Sequence, residues 1–375
     1  MTDLHSIDLK NKYVGLRVDL NVPLESGEVL SPDRLSAALP TILYILEHTE
    51  NLCLISHLGR PKEDDFDPNL SLKPIKEWFE KRLNKKISLE NEIKKSEGIK
   101  MLENIRFFKG ENENSENLGQ KLADIFDVYI MDAFATAHRK SASTYGAIKA
   151  SEVSCAGLLL ENETDALQQA ISSKNFPMLS IVGGSKVSSK LKVIKNLSKI
   201  SDDVLTGGGI TNTILKAQGH NIGLSLHEDS MLNDAKELLD TGKILLPDEV
   251  VVSKDIESNN TRITKVNSVQ HDEIILDQIL SPAIIKKIIQ AKKIIWNGPV
   301  GVFERQPFSL GTKALAEAIA SSQAFSLAGG GETLLAIKMF IEKNNISYCS
   351  TGGGAFLEFM EGKELPSLSA LGFKF

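Results

Sequence analysis

The stretch LAGGGETLLAI (residues 327–337) sets three consecutive glycines between an apolar run and a pattern that reads as a helix. Glycine loses more backbone entropy on folding than any other residue, so three in a row need a reason. The arrangement recurs in LTGGGITNTIL (205–215) and CSTGGGAFLEF (349–359), and in shorter form in IVGGSKVSSKL (181–191). Each is an apolar stretch, a glycine turn and then a helical pattern.

Similar apolar runs occur along the whole chain: YVGLRVDL (13–20), NLCLISHL (51–58), VYIMDAF (128–134), MLSIVGG (178–184), KIIWNGP (293–299), AFSLAGG (324–330) and ISYCSTGG (346–353). They are mostly continuous rather than alternating, which fits strands buried on both faces of a parallel sheet. Amphipathic stretches such as SLKPIKEWFEKRLN (71–84) and LGTKALAEAIASS (310–322) separate them. Strand and helix therefore alternate throughout, which predicts an α/β fold with parallel, doubly wound sheets. The length of 375 residues predicts two domains. The segment CAGLLLENETDALQQAISS (155–173) reads as a helix between them, because the chemistry of the strand ends changes there. Before it strands end in Arg and His, and after it they end in Gly.

Composition narrows the function. Hydrophobic residues make up 42% and charged residues 25%, an ordinary globular balance. The net charge of −6 disfavours nucleic acid or an anionic membrane as partner, so any anion site must be a local basic cluster. No run reaches membrane-spanning length, and MTDLHSIDLKNK has no signal-peptide core, so a cytoplasmic location is expected. Cys53, Cys155 and Cys349 are few, odd in number and far apart, which argues against a disulfide framework or zinc site and for a reducing compartment.

In an open parallel sheet, ligands sit beyond the carboxyl ends of the strands. Glycine there lets backbone N–H groups approach a phosphate, and the following helix adds its positive end. The plainer reading is tight turns with positive φ. Four such turns in one half favour a nucleotide cleft, although none fits GxGxxG or GxxxxGK[ST]. Lys186 and Lys190, four apart, fall on one face of the predicted helix in its first turn. A bound anion would offset two cations at that end, and a solvated basic helix fits the same spacing. Glu304 in NGPVGVFE is placed to take ribose hydroxyls or is a surface acid. Glu332 opens a helix, where it complements the dipole or ligates Mg²⁺.

In the first half, RVDLNVP (17–23) leaves a strand with Asp19 and Asn21 pointing the same way. SPDRLSAALP puts Arg34 at a helix start, SHLGRP supplies His57 and Arg60, LENIRF supplies Arg106, and DAFATAHRK supplies His138 and Arg139. Any one Arg reads as a surface ion pair. Their shared location at strand ends points to a small, doubly anionic substrate held by guanidinium forks. His57 or His138 would serve as an acid or base, or as a packed histidine.

Together these motifs resemble the phosphoglycerate kinase family. RVDLNVP, DRLSAALPTI, SHLGRPK, MLENIRFFKGE, MDAFATAHR, VGGSKVSSKLKVI, GGGITNTILKAQG, WNGPVGVFE, GGGETLLAI and STGGGAFLEFMEGKELPSLSAL come in that family's order over nearly the whole chain. The resemblance implies a glycolytic kinase that moves a phosphoryl group reversibly between 1,3-bisphosphoglycerate and ADP, giving 3-phosphoglycerate and ATP, by in-line transfer with lobe closure. It implies two Rossmann-like lobes: an acid-substrate lobe over 1–155, a linking helix over 156–172, and a nucleotide lobe over 173–358. A tail, 359–375, returns to the first lobe. Carried over residue by residue, Asp19, Asn21, Arg34, His57, Arg60, Arg106 and Arg139 bind the acid substrate. Lys190, Glu304, Gly330, Gly331, Glu332 and Thr333 bind ATP or ADP. Arg34, Lys186 and Lys190 act on the phosphoryl group in flight, and Glu332 ligates the Mg²⁺ that accompanies the nucleotide. The family also suggests a monomer. A carboxylate nucleophile is ionised at neutral pH and needs no general base, so charge neutralisation and alignment carry the chemistry. On this reading the glycines are bare because phosphates pass close to the chain, and the turn at 352–354 opens a helix near the transferring group.

The chain departs from the family pattern in places. It has Glu332 for the usual Asp, Asn162 for a linking-helix lysine and Ser189 for the acid before Lys190. A glycine turn is lost in LDQILSPA (276–283), and the nucleotide lobe is trimmed around 236–262. These bear on nucleotide affinity and metal geometry. A nicotinamide-dependent dehydrogenase would need GxGxxG with a ribose acid and leaves the arginines without a role. A non-catalytic nucleotide-binding protein of this fold would be expected to lack Arg34 or Lys190.

Overall fold

The computed structural model describes residues 1–172 and 176–374. The chain divides into two compact units, Met1–Asp165 with Glu364–Phe375, and Ala166–Lys363. The division falls inside the helix Leu158–Ile171. Residue 173, where the sequence reading begins the second lobe, lies outside the described residues. The returning tail starts at Glu364 rather than 359, because the helix Gly353–Met360 belongs to the second unit. In the first unit the Ser367 amide donates to the Ala137 carbonyl (3.1 Å), and its hydroxyl donates to the Thr144 carbonyl (2.7 Å).

The first unit is built on a six-stranded sheet ordered Ser88–Glu90, Ile99–Leu102, Leu52–Ile55, Val14–Val18, Val128–Asp132, Ser154–Ala156. Every pairing is parallel. Val14–Val18 and Val128–Asp132 are buried along their whole length, as their continuous apolar sequence requires. The chain lays down all the strands on one side of Val14–Val18 and then switches to the other. The switch point therefore lies between Val14–Val18 and Val128–Asp132, where open α/β sheets bind ligands.

The second unit repeats the plan with the order Ile244–Leu245, Asp203–Gly207, Met178–Gly183, Lys293–Asn297, Phe325–Ala328, Tyr348–Cys349, again all parallel. Its switch point lies between Met178–Gly183 and Lys293–Asn297. The helices Val187–Ile200, Gly209–Ala217, Gly331–Phe340 and Gly353–Met360 each follow a glycine turn.

Strand–helix alternation does not hold throughout. Glu249–Ser253, Arg262–Lys265 and Ile274–Ile279 form a separate antiparallel sheet. No α-helix separates these strands: the turn-rich DIESNN (255–260) connects the first two, and a single 3₁₀ turn, Val266–Ser268, lies between the last two. The two doubly wound sheets are parallel as expected, and the expectation that strand and helix alternate throughout is corrected there.

Buried aspartates hold two helix starts. Asp132, at the end of its strand, accepts the Leu160 amide (3.0 Å) in the first turn of Leu158–Ile171. Asp277, on the antiparallel sheet, accepts the Gly311 amide (2.8 Å) in the first turn of Leu310–Ala320. Burial pushes both carboxyls up to about 7.

Candidate active site

In the first unit the sequence-predicted residues gather beyond the carboxyl ends of the sheet. Asp19 and Asn21 follow Val14–Val18, and His57 and Arg60 follow Leu52–Ile55. Arg106 follows Ile99–Leu102, and Arg139 follows Val128–Asp132. Arg34 is the second residue of the helix Asp33–His48. Its Nη1 donates to Asp19 Oδ2 (2.7 Å) and to the Asn21 carbonyl (3.0 Å). Asn21 Oδ1 accepts the Gly59 amide (3.0 Å), which ties the two loops together. Arg106 is buried, and its guanidinium donates to the Gly59 carbonyl. Arg139 is half-buried and Arg60 is exposed.

These cations feel one another. Burial holds Arg106 down to about 10, and Arg139 and Arg17 push it the same way. Arg139 is lowered by burial and Arg60, while Asp19 opposes the shift. His57 is buried and held well below its usual 6.5, first by burial and then by Arg17, Arg106, Arg139 and Arg34. A neutral imidazole at physiological pH serves as a hydrogen-bond donor or acceptor rather than as a charged acid. Two carboxylates, Asp19 and Glu111, among the guanidiniums of Arg17, Arg34, Arg60, Arg106 and Arg139 leave an excess of positive charge, which suits a small dianion.

The sequence reading missed Arg17. It lies within the apolar strand Val14–Val18 and is buried. Its Nε donates to Ser143 Oγ (2.9 Å), and its Nη2 lies 3.4 Å from His57 Nδ1. Glu111, also buried, accepts the Ser143 amide (2.9 Å) and hydroxyl (2.6 Å). A charge inside a strand buried on both faces was the available signal.

In the second unit a groove of about 460 Å³ runs along the glycine turns. Gly184, Gly208, Gly209, Val300, Glu304 and Glu332 contribute to its lining, with apolar wall residues Leu224, Leu226, Ile256 and Leu276. A larger groove of about 750 Å³, lined by residues including His220, Asp248 and Lys265, contains none of the candidate residues.

Lys190 and Lys186 are not equivalent. The helix begins at Val187, and Lys186 precedes it in an extended conformation (φ −132°, ψ 128°). Lys186 is exposed, so the shared-face argument is corrected and only Lys190 lies in the first turn. Burial brings Lys190 down to about 8, with Glu332 opposing the shift. Glu304 and Glu332 are exposed. Glu332 lies in the first turn of Gly331–Phe340, after Gly330 at φ 99°. Thr333 is buried, and its hydroxyl accepts the Gly298 amide (2.8 Å) and donates to the Gly329 carbonyl (2.9 Å).

Most of the turn glycines are bare for a reason other than phosphate access. A Cβ on Gly183 would lie 1.7 Å from the Pro299 carbonyl oxygen, and one on Gly209 would lie 2.1 Å from the Ser185 carbonyl oxygen. At Gly329 the Phe356 ring stands 2.8 Å away. These glycines are bare because the chain passes close to itself. Only where a Cβ would meet open space, as at Gly331 and Gly353, does the ligand explanation stand.

Among the described residues no cluster of three or more His, Cys, Asp or Glu could hold a metal ion by itself. Glu332 offers a single exposed carboxylate beside the groove. That donor set fits Mg²⁺ carried by a nucleotide, since Mg²⁺ takes one or two carboxylates together with phosphates and water.

Comparison with known proteins agrees with this geometry. A family model described as phosphoglycerate kinase matches residues 4–363. The phosphoglycerate kinase of Francisella philomiragia is 47% identical, over 98% of this chain and 97% of that protein. That of Blochmanniella floridana is 46% identical, over 99% and 96%. The solved structure of phosphoglycerate kinase from Coxiella burnetii superposes with a TM-score of 0.93 at 41% identity, covering 98% of each chain. The Pyrococcus horikoshii enzyme gives 0.81 at 32% identity, covering 100% of this chain and 99% of that one.

Proposed function

The chain belongs to the phosphoglycerate kinase family, and from that premise we propose how its residues divide the work. It is a glycolytic kinase that moves a phosphoryl group between 1,3-bisphosphoglycerate and ADP. The observation that carries the division is chemical: the guanidiniums cluster on one unit and the glycine-turn groove lies on the other.

In this proposal Arg60, Arg106 and Arg139 hold the phosphate of 3-phosphoglycerate, and Asp19, Asn21 and His57 orient its carboxylate and hydroxyl. His57 acts as a neutral hydrogen-bonding group. Glu304 takes the ribose, and the apolar wall at Leu224, Leu226 and Ile256 takes the base. The first-turn amides at Gly331, Glu332 and Thr333 face the phosphates, with Lys190 as counter-charge. Magnesium arrives with the nucleotide and neutralises phosphate charge, and Glu332 is its protein ligand. Arg34 and Lys186 are reserved for the phosphoryl group in flight, where fixed charges aimed at a developing anion have most effect. The acid acceptor is already ionised, so no protein base is assigned. Because acceptor and donor bind to different units, turnover requires those units to be brought together and water excluded.

A coupled assay for ADP formation from ATP and 3-phosphoglycerate tests the proposal. Activity that depends on both substrates and on magnesium is expected. Nucleotide binding without turnover would reduce the chain to a binding protein.

A further inference from the structure

Lys190 reaches back to the switch point of the nucleotide sheet. Its ammonium donates to the Gly183 carbonyl and to Asn297 Oδ1 (2.7 Å), and it lies 3.5 Å from the Asn297 carbonyl oxygen. A lysine ammonium has three protons and no acceptor. The three oxygens belong to the carboxyl ends of the two central, adjacent strands Met178–Gly183 and Lys293–Asn297. Two short bonds therefore fix the ammonium, and the longer third contact leaves a proton able to turn toward a phosphate.

Asn297 is buried, and it makes a second contact that settles its orientation. Its Nδ2 donates to the Gly329 carbonyl (2.7 Å), beyond the end of the next strand. Turning the carboxamide over would set its amino group against an ammonium and its oxygen against a carbonyl oxygen. Both neighbours oppose that, so Oδ1 faces Lys190. The Gly329 carbonyl also accepts the Thr333 hydroxyl (2.9 Å). A Cβ on Gly330 would come within 3.0 Å of Asn297 Nδ2, so the carboxamide also shapes the turn that opens the phosphate-facing helix.

We propose that Asn297 is a positioning residue: it holds the Lys190 ammonium over the switch point and locks it to the 329–333 turn. Cation and helix start then meet the nucleotide phosphates as one preformed unit. The inference rests on the reading of Lys190 and the 329–333 turn as the phosphate site. A half-buried ammonium without its side-chain acceptor would turn out toward solvent or shed its proton, and the phosphates would have to reorder it on binding. The charged group acting on it across the turn is Glu332, which favours the protonated form.

The test compares wild type, Asn297→Asp, Asn297→Leu and Lys190→Met in the full chain, with ATP and 3-phosphoglycerate as substrates. The readout is the pH profile of kcat/KM for ATP. Wild type should lose activity through an alkaline limb near pH 8, the value to which burial brings Lys190. Asn297→Asp keeps an oxygen on Lys190 and adds a negative charge, so the limb should move up by about one pH unit or more. Asn297→Leu should move it down and lower kcat/KM for ATP about tenfold, leaving KM for 3-phosphoglycerate unchanged. Lys190→Met should abolish the limb and weaken ATP binding. If both Asn297 variants keep the wild-type limb while Lys190→Met removes it, the positioning role is wrong. If Lys190→Met binds ATP normally, the phosphate-site reading itself fails, and the inference with it. Wild type alone gives an independent check should the variants not fold. In ¹⁵N spectra, ADP should shift the Lys190 Nζ and Asn297 side-chain amide signals together, and an Asn297 signal unmoved by ADP that shifts Lys190 would overturn the coupling.

Discussion

Replacing Arg34 with alanine separates binding from catalysis on the acid-substrate unit. Arg34 is held by two acceptors on one side, Asp19 Oδ2 at 2.7 Å and the Asn21 carbonyl at 3.0 Å, yet its side chain is 39% exposed. Exposure on that scale limits the ion pair's contribution to stability to about 0–1 kcal/mol. Asp19 is not stranded by the change, because Oδ1 still accepts the Asn21 amide (3.2 Å) and Arg139 stays within electrostatic reach. The effect on turnover is far larger under the proposed role. A fixed donor aimed at charge that develops only in the transition state contributes about 2.7–4 kcal/mol, or about 10²–10³ in rate. Arg34→Ala should therefore lower kcat by about 10²–10³ while raising KM for 3-phosphoglycerate less than about fivefold. Steady-state kinetics coupled to ADP release measures both, and thermal unfolding checks the fold. Asp19→Asn should reproduce part of the kcat loss by releasing Arg34, and the double variant should have a kcat no lower than that of Arg34→Ala, with any further loss confined to KM. A change confined to KM would make Arg34 a binding residue, and fully additive losses would mean that Asp19 does not act through it.

His57 should stay neutral in the native chain as pH falls from 7.5 to 5.5, read from its imidazole signals by NMR; a midpoint near 6.5 would show that burial and the surrounding arginines do not suppress its charge. The unfolded chain takes up that proton near 6.5 and the native chain does not, so His57 removes stability as pH drops through 6.5, and His57→Gln should flatten that part of the stability profile. Glu332→Gln should raise the magnesium requirement and lower kcat with 3-phosphoglycerate affinity intact, whereas Glu332→Asp should remain active. A Gln variant with wild-type magnesium titration would leave Glu332 only its helix-start role, about 0.3–1 kcal/mol. Small-angle scattering should find a more compact particle with both substrates bound than with either alone, and an unchanged radius in a sample shown to turn over would count against closure.

Much of the plan was present in local sequence. Continuous apolar runs gave the central strands of both parallel sheets, because a strand covered on both faces has no polar side to show. The arginines at strand ends and the glycines at strand-to-helix turns marked the right edge of each sheet, since strand direction alone determines which end holds loops and helix starts. The antiparallel sheet was not foreseen, because short apolar runs reveal neither direction nor which strands pair. Lys186 and Lys190 looked equivalent by spacing, but the helix starts one residue after Lys186, and a one-residue shift in a helix start is invisible in the pattern. Arg17, Glu111 and Asn297 show what tertiary structure alone decided. A buried polar group is tolerable only with its partners, and the partners here lie 126, 32 and 107 residues away: Ser143 for Arg17, Ser143 for Glu111, Lys190 for Asn297. The glycines divide in the same way. The sequence says that the backbone must be bare, and only the fold tells whether the space beside it is filled by the chain, as at Gly183, or left open, as at Gly331.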